Sequence, residues 1–356
     1  MGGMEPRTQR SLGVAVFMIV LWASEVLDVG ITAILGAYLF WALGLATPAL
    51  AFSGFANDTT WFMMGVLLIG AMTEQSGLGM RLGYTALSRA GSSYSMILLV
   101  VIVVDFLLAI PIPSGVARVV IMASLAVSII KAFGVQKNSN LARGLFIMFA
   151  YSATVFDKMF LANPPAIMAR NFIQDIGHVP VSWSLWAIAY LPCNLITILV
   201  CWRVALWLYP PEVKHLPGGK NVLKEELKKM GPWSVQEKKC AVLVLIAVAI
   251  WMTDFLHHLN PALIGVGIGL AALLPGIGFL SIEDFRKVNL SVFFMVGGAI
   301  CMTNVLVDTK AIELFTNVMF SWMAPLVSDA YKSSVVLYWT AFVYHIVLAS
   351  ETSMVA

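Results

Sequence analysis

The residues of this sequence best suited to chemistry stand where long apolar runs are broken. In LLAIPIPSGVARVVIM (107–122), Pro111 and Pro113 are followed by Ser114 and Gly115, and Arg118 sets a permanent positive charge in the run. Proline cannot donate a helical hydrogen bond and disfavours helix at the residue before it. Glycine permits a tight reversal. The pattern predicts a helical hairpin near 107–131 that turns near Ser114–Gly115. The plainer alternative is a proline kink in a packed helix. A helix that restarts after such a break presents unpaired N–H groups, which suit an anion. Hydroxyls and carbonyls at the same place would suit a small cation.

A second break lies in FAYSATVFDKMFLANPPAIMARN (149–171), where Asn163, Pro164 and Pro165 must interrupt the helix and Asp157 and Lys158 stand inside the apolar run. Ionisable groups in hydrocarbon are costly, so they pair with each other or face a cavity. Both readings are open here: a mutually neutralised Asp157–Lys158 pair, or a lysine that serves a binding site. A third break, LASETSMVA (348–356), carries Ser350, Glu351 and Thr352. The sequence stops inside it, before the returning helix that a hairpin needs, and so reads as C-terminally incomplete. Asp105 and His345 each sit in the helix entering a break, where a satisfied hydrogen bond is expected over a proton relay. His257 and His258, beside Asp254 at a helix end, read as interfacial and not as metal ligands.

These breaks need helices to hold them, and composition supplies the helices. Of 356 residues, 60% are hydrophobic and 12% charged, with mean hydropathy +0.88. Soluble domains carry about 25% charged residues. The chain therefore reads as an all-α polytopic membrane protein. A net charge of +3 is too small to suggest nucleic acid as a partner. Cys193, Cys201, Cys240 and Cys301 lack metal-ligand spacing and read as buried small hydrophobes without a disulfide framework. The first apolar run follows MGGMEPRTQR directly and reads as a retained helix, not a removed signal peptide.

Since a membrane helix takes about 20 predominantly apolar residues, spans are expected near 11–27, 29–47, 59–75, 94–111, 141–162, 182–208, 239–256, 260–280, 290–307 and 333–349. The mixed segments 79–91 and 310–323 suit helices lying in the interface. The longest polar stretch, 210–239, is rich in lysine and is expected to stay on the cytoplasmic side as a connector. It separates 1–58 (N-terminal helices) and 59–209 (a first repeat) from 240–356 (a second repeat). WFMMGVLLIGAMTEQSGLGMRL (61–82) reads like VFFMVGGAICMTNVLVDTKAIELF (292–315): an aromatic-Met start, a small-residue helix, Met-Thr, then a short polar turn. Counting spans places the two copies in opposite orientations. Inverted repeats with helices broken at matched positions point to the binding site of a secondary transporter.

LYPPEVK (208–214), MGPWSVQEKKCAVLVLIAVAIWMTDFL (230–256) and LLPGIGFLSIEDFRKVNLSVFFMVGGAI (273–300) together resemble the central stretch of the divalent anion:sodium symporter family. That family transports dicarboxylates, citrate and sulfate. The resemblance implies an inverted-repeat transporter fold with re-entrant hairpins and broken helices, and a homodimer. In the family a Ser-Asn-Thr motif at each hairpin tip holds substrate carboxylate and neighbouring sodium, and a Thr-Pro-Pro-Asn motif completes each half-site. Carried over, the first tip is Ser114-Gly115-Val116, which keeps only the serine. The second is Ser350-Glu351-Thr352, with glutamate for asparagine. The first Pro-Pro motif is Asn163-Pro164-Pro165, preceded by TVFDK where the family has glycines; the second would lie past residue 356.

The resulting expectation is a secondary active transporter, in the cell (inner) membrane, that moves small divalent anions by alternating access. Succinate, malate, citrate and sulfate are the cargo types implied. No cofactor and no catalytic group are expected, and the coupling ion implied is sodium, near Ser114 and Ser350. Arg118, Asp157 and Lys158 stand in the first half-site as charge partners. A fixed cation there could stand in for a bound sodium, which predicts weakened sodium coupling. Two further readings remain: a sodium-independent or proton-coupled exchanger, or an arsenite or Na⁺/H⁺-type member of the wider ion-transporter superfamily. An intramembrane enzyme using Ser114 would need a histidine within reach, and His345 is the mid-span histidine.

Overall fold

In a computed structural model of the chain, the described residues are 5–90, 93–110, 112, 115–136, 138–161, 163–175, 177–212, 219–312, 326 and 329–347. In chain order the helices are α1 (Pro6–Ser24), α2 (Val29–Ala42), α3 (Pro48–Ala51), α4 (Asp58–Ser76), α5 (Leu78–Ala90), α6 (Tyr94–Ala109), α7 (Gly115–Ala132), α8 (Asn140–Asp157), α9 (Pro164–Asp175), α10 (Trp183–Leu208), α11 (Gly219–Lys229), α12 (Val235–Met252), α13 (Asp254–His257), α14 (Pro261–Leu273), α15 (Ile282–Arg286), α16 (Leu290–Asp308) and α17 (Ala330–Val347). No β-strand occurs among the described residues. Each expected span has its helix. Several run shorter than the apolar stretch, α2 ending at Ala42 instead of 47, and two of them stop ahead of a proline. Pro164 and Pro165 lack the N–H groups that the Phe160 and Leu161 carbonyls would need, so α8 ends at Asp157 instead of 162. Pro275 disfavours helix at Leu274, and α14 ends at Leu273 instead of 280.

The chain divides into two units, residues 1–63 with 289–356 and residues 64–288. In the first, α16 packs along α2 and the turn at Ser53–Ala56. The small residues of VFFMVGGAICM make this possible: Gly298 lies against Ala33 of α2, and Gly297 against the Phe55 ring. Such close approach is what holds helices together where lipid removes the hydrophobic drive between them. The Gly54 amide donates to Cys301 Sγ at 3.2 Å, and Thr60 Oγ1 donates to the Gly54 carbonyl at 2.7 Å. Asp28 caps α2 by accepting from the Gly30 and Ile31 amides. A hydrogen bond from Ser291, helped by those amides, holds its carboxyl below the usual carboxylate range.

In the second unit, α6, α7 and α8 pack on one another and α10 lies against α6 and α8. Helix α12 packs on α14, which in turn meets α4 where a methyl group on Gly65 would strike the Gly265 main chain. The connector folds further than its polar composition suggested: α11 forms within it and packs on α5. Arg81 of α5 anchors the end of the connector. Its Nε meets Glu237 at 2.6 Å, and its terminal nitrogens reach the carbonyls of Met230, Gly231 and Pro232 at 3.0–3.3 Å.

Helices α10 and α16 are long and apolar enough to cross a membrane, and α2, α6 and α14 are shorter apolar helices. Helix α10 leaves Leu185, Ile188, Ile196, Leu199 and Val200 exposed. Surface of that kind is matched by hydrocarbon, not water. It also corrects the reading of the cysteines. All four are free, but only Cys240 and Cys301 are buried; Cys193 is exposed and Cys201 half-buried, both on α10.

Candidate functional site

The chain breaks between Ala109, which ends α6, and Gly115, which starts α7. The two flanking helices carry opposite charges that the break brings level. Asp105 and Arg118 lie thirteen residues apart, one before the prolines and one after. Both are fully buried, with 0% of either residue exposed. Arg118 Nε donates to Asp105 Oδ1 at 3.1 Å, one terminal nitrogen to the Ile112 carbonyl at 2.9 Å, and the other to the Ala153 carbonyl at 2.8 Å. Ser152 Oγ donates to Asp105 Oδ2 at 2.6 Å. The guanidinium thus joins α6, the break itself and α8. Charge-assisted bonds of this length are strong, and removing one partner of a buried pair leaves the other uncompensated.

Asp105 therefore has its hydrogen bonds, as expected of an isolated buried acid. The expectation for Arg118 as a charge near a ligand meets a different placement, with carboxylate and carbonyl partners from the protein itself. Ser152 and the Ala153 carbonyl were not anticipated. Only the distances from the prolines to Asp105 and Arg118 hinted at the pair, since a reversal between the prolines would place both one to two turns from it.

At the second break, Asn163 begins α9. Its side-chain oxygen accepts from the Ala166 amide at 2.9 Å, capping the helix, and Pro164 and Pro165 occupy the first helical positions. Proline is well placed there because its missing N–H would have had no partner. Asn163 is 2% exposed, and its Nδ2 finds no hydrogen-bond partner among the described residues. Helix α9 spans 12 residues, so a buried amide donor without an acceptor stands at the positive end of a helix.

The surroundings are aromatic. Phe106 of α6 packs edge-on against Phe156, and Phe160 stacks on Trp183, which stacks on Trp251. Asp254 caps α10 by accepting from the Trp183 amide at 2.6 Å. The carbonyl of Lys158 accepts from Trp186 Nε1 at 2.9 Å, while its side chain is exposed. Buried Arg170 donates to the Val181 carbonyl at 3.0 Å and ties the turn after α9. His257 Nε2 lies 2.8 Å from the Ile250 carbonyl, and no cluster able to hold a metal occurs among the described residues. Gly115 and Val116 begin α7, Asp157 ends α8, and of Gly115, Val116, Asp157 and Pro164 the structure describes the backbone alone. Ser114, Ser350, Glu351 and Thr352 lie outside the described residues, as does most of the expected interface helix at 310–323.

The arrangement has the parts of an anion site: a helix start and a buried neutral donor, framed by packed aromatic rings. Comparison with known proteins agrees with that chemistry. The family profile described as "Sodium:sulfate symporter transmembrane region" matches residues 2–356. YflS of Bacillus subtilis, a provisionally named malate transporter, is 25% identical over 347 residues, covering 91% of this chain and 70% of its own. An L-tartrate/succinate antiporter of Shigella dysenteriae is 26% identical over 276 residues, 74% of this chain and 55% of its own. SdcS of Staphylococcus aureus, a sodium-dependent dicarboxylate transporter, is 25% identical over 253 residues, 68% and 48%. The chain spans about half to seven-tenths of the length of these relatives. The family and these relatives are transporters, not enzymes, which removes the reading of Ser114 as a nucleophile.

Proposed function

The chain belongs to the sodium:sulfate symporter family, which makes it a multi-pass membrane protein, and on that premise we propose that it is a secondary active transporter of small divalent anions. Di- and tricarboxylates such as succinate, malate or citrate, or sulfate, are the cargo, moved by alternating access. The observation that carries this reading is Asn163. A buried donor without an acceptor costs free energy, and a carboxylate oxygen arriving at the start of α9 would supply what the protein withholds. The tips at Ser114–Gly115–Val116 and Ser350–Glu351–Thr352 complete the two half-sites, with Pro164 and Pro165 shaping the first.

The matched halves support the same reading. Helices α4 and α16 are both 19 residues long. In each the threonine of the Met-Thr pair donates to the carbonyl four residues back, Thr73 to Ile69 and Thr303 to Ala299. Each helix is followed by a left-handed residue, Gly77 at φ 74° and Lys310 at φ 54°. We read them as inverted repeats, with the lysine-rich connector on the cytoplasmic face of the inner membrane and the protein as a homodimer among lipids.

Sodium is the coupling ion of the relative SdcS by its name, and coupling is read here as weakened, because the cation in the first half is the protein's own Arg118. Exchange, the activity named for the Shigella relative, is the second reading that this favours. The experiment is uptake of labelled succinate, malate, citrate and sulfate into proteoliposomes, with a sodium gradient, with a proton gradient, and with internal anion alone. Saturable uptake of at least one anion, little changed by sodium, is the expected result. Absence of uptake under every gradient overturns the transporter, and a steep sodium dependence overturns the weakened coupling.

A further inference from the structure

Helix α10 carries a single charged residue, Arg203. It stands on the outward stripe of the helix: Ile196, Leu199, Val200 and Trp207, three and four residues apart, are exposed, and so is Arg203. That surface suits hydrocarbon, where an arginine keeps its charge and must have it answered. No acidic side chain pairs with Arg203 among the described residues. Its guanidinium carbon lies over the Trp202 ring, 5.1 Å from the centroid. Contact through the ring face leaves the N–H edges of the guanidinium available to an anion. The ring itself is fixed, because Trp202 Nε1 donates to the Ser95 carbonyl at 3.0 Å, in the first turn of α6.

Three helix ends meet at this level. Tyr94 Oη, at the start of α6, donates to the Tyr209 carbonyl at 2.8 Å, and Asn140 Nδ2, at the start of α8, donates to the Pro210 carbonyl at 2.9 Å. Such ends mark where helices leave the hydrocarbon. Arg203 precedes Leu208, the last residue of α10, by five residues, about 7.5 Å of helix, and an arginine covers such a depth by snorkelling. Trp207 beside it is the residue type that collects at membrane interfaces. Arg143, in the first turn of α8, is a second exposed guanidinium without an acidic partner among the described residues. Against these two stands Glu212, whose Oε1 accepts from the Asn140 amide at 2.8 Å. The local balance of charge is positive.

We propose that Arg203 binds the phosphate of an anionic phospholipid whose acyl chain lies along Val200, Leu199 and Ile196. The planar guanidinium offers two parallel N–H donors to the phosphodiester. The Trp202 ring holds it at headgroup height, and the positive surroundings select an anionic headgroup over a zwitterionic one. The lipid is a bound partner that fixes the depth of α10. The inference rests on the membrane placement and stands whether or not any anion is transported.

The test is thermal unfolding of the full chain in a nonionic detergent, titrated with phosphatidylglycerol or with phosphatidylcholine of the same acyl chains. Phosphatidylglycerol is expected to raise the midpoint saturably by roughly 2 °C or more, and phosphatidylcholine to raise it less. Arg203→Gln should need about fivefold more phosphatidylglycerol for half the effect, the worth of one basic residue at an anionic surface. Lys224→Gln removes the same charge from the exposed face of α11 and should titrate like the wild type. Water-soluble glycerophosphoglycerol, the headgroup without its chains, should give no shift. Equal response to the two lipids overturns the proposal, and so does an Arg203→Gln protein that titrates like the wild type. In either case a further protein segment or a second copy answers the guanidinium. A shift with the headgroup alone as large as with the lipid makes this a free-anion site and also overturns it. An Arg203→Gln protein that fails to fold does the same, since a lipid-facing side chain is not needed for folding in detergent. Failure of anion uptake in the wild type would remove the transporter reading and leave this measurement untouched.

Discussion

Asn163 and Arg118 show how differently two polar residues can be used in the same apolar surroundings. Arg118 has its guanidinium nitrogens answered by protein oxygens, whereas Asn163 spends its oxygen on the Ala166 amide and keeps a buried amide nitrogen in reserve. The two roles of Asn163 can be separated by substitution. Aspartate caps a helix about as well as asparagine, so Asn163→Asp should keep the cap bond to the Ala166 amide, while its second, buried oxygen lowers the unfolding midpoint. That oxygen also replaces a donor by an anion where an anion is to bind. The expected outcome is an anion KM raised by tenfold or more, on the order of 1.4 kcal/mol or above, seen in uptake at varied concentration. Asn163→Ala should lose both cap and donor, lowering stability by about 1 kcal/mol as well as weakening uptake. Uptake per folded protein unchanged in both variants would mean that the amide serves the helix alone.

Among the elements, the pairing of α5 with the start of α12 rests on few atoms. Arg81 and Glu237 are both nearly buried at 2.6 Å, Glu237 closes a capping box with Ser234, and the guanidinium also covers the Trp233 ring at 5.6 Å. One planar, five-donor group thereby fixes the end of the connector to an amphipathic helix. Arg81→Ala leaves Glu237 without its partner and three carbonyls without donors, and is expected to cost about 3–5 kcal/mol. Arg81→Lys should recover only part of that, since an ammonium is a compact charge that cannot span four acceptors. Reversible unfolding in mixed detergent reads both. Arg81→Lys matching the wild type would show that charge alone, and not the fork, holds the element. That the sequence suggested an interface helix at 79–91 was a matter of mixed composition; what it gripped depended on a glutamate more than 150 residues away.

For the whole molecule, the proposed orientation in the membrane can be tested at the exposed charges of the connector. Lysines 224 and 228 on α11 are exposed, and the cytoplasmic placement proposed for the connector rests on its excess of lysine. With Cys193 and Cys201 replaced by serine, Lys228→Cys should react with a membrane-impermeant maleimide in inside-out vesicles and not in intact cells. The reverse pattern would invert the topology proposed for the connector.

What the sequence determined by itself was what is local or cumulative. Apolar runs long enough to cross a bilayer must bond their backbone internally, so they become helices wherever they occur. Prolines must end them, which set the breaks at 110–114 and before Asn163. Charge type at a position was equally legible. Which partners a charge takes was decided only by the tertiary structure. Whether Arg118 is a loose cation or a paired one depends on Asp105, on a serine hydroxyl and on carbonyls from the break and from α8, brought to within 3.1 Å. No residue type announces a carbonyl, because every residue carries one, and folding alone selects those that converge on a charge.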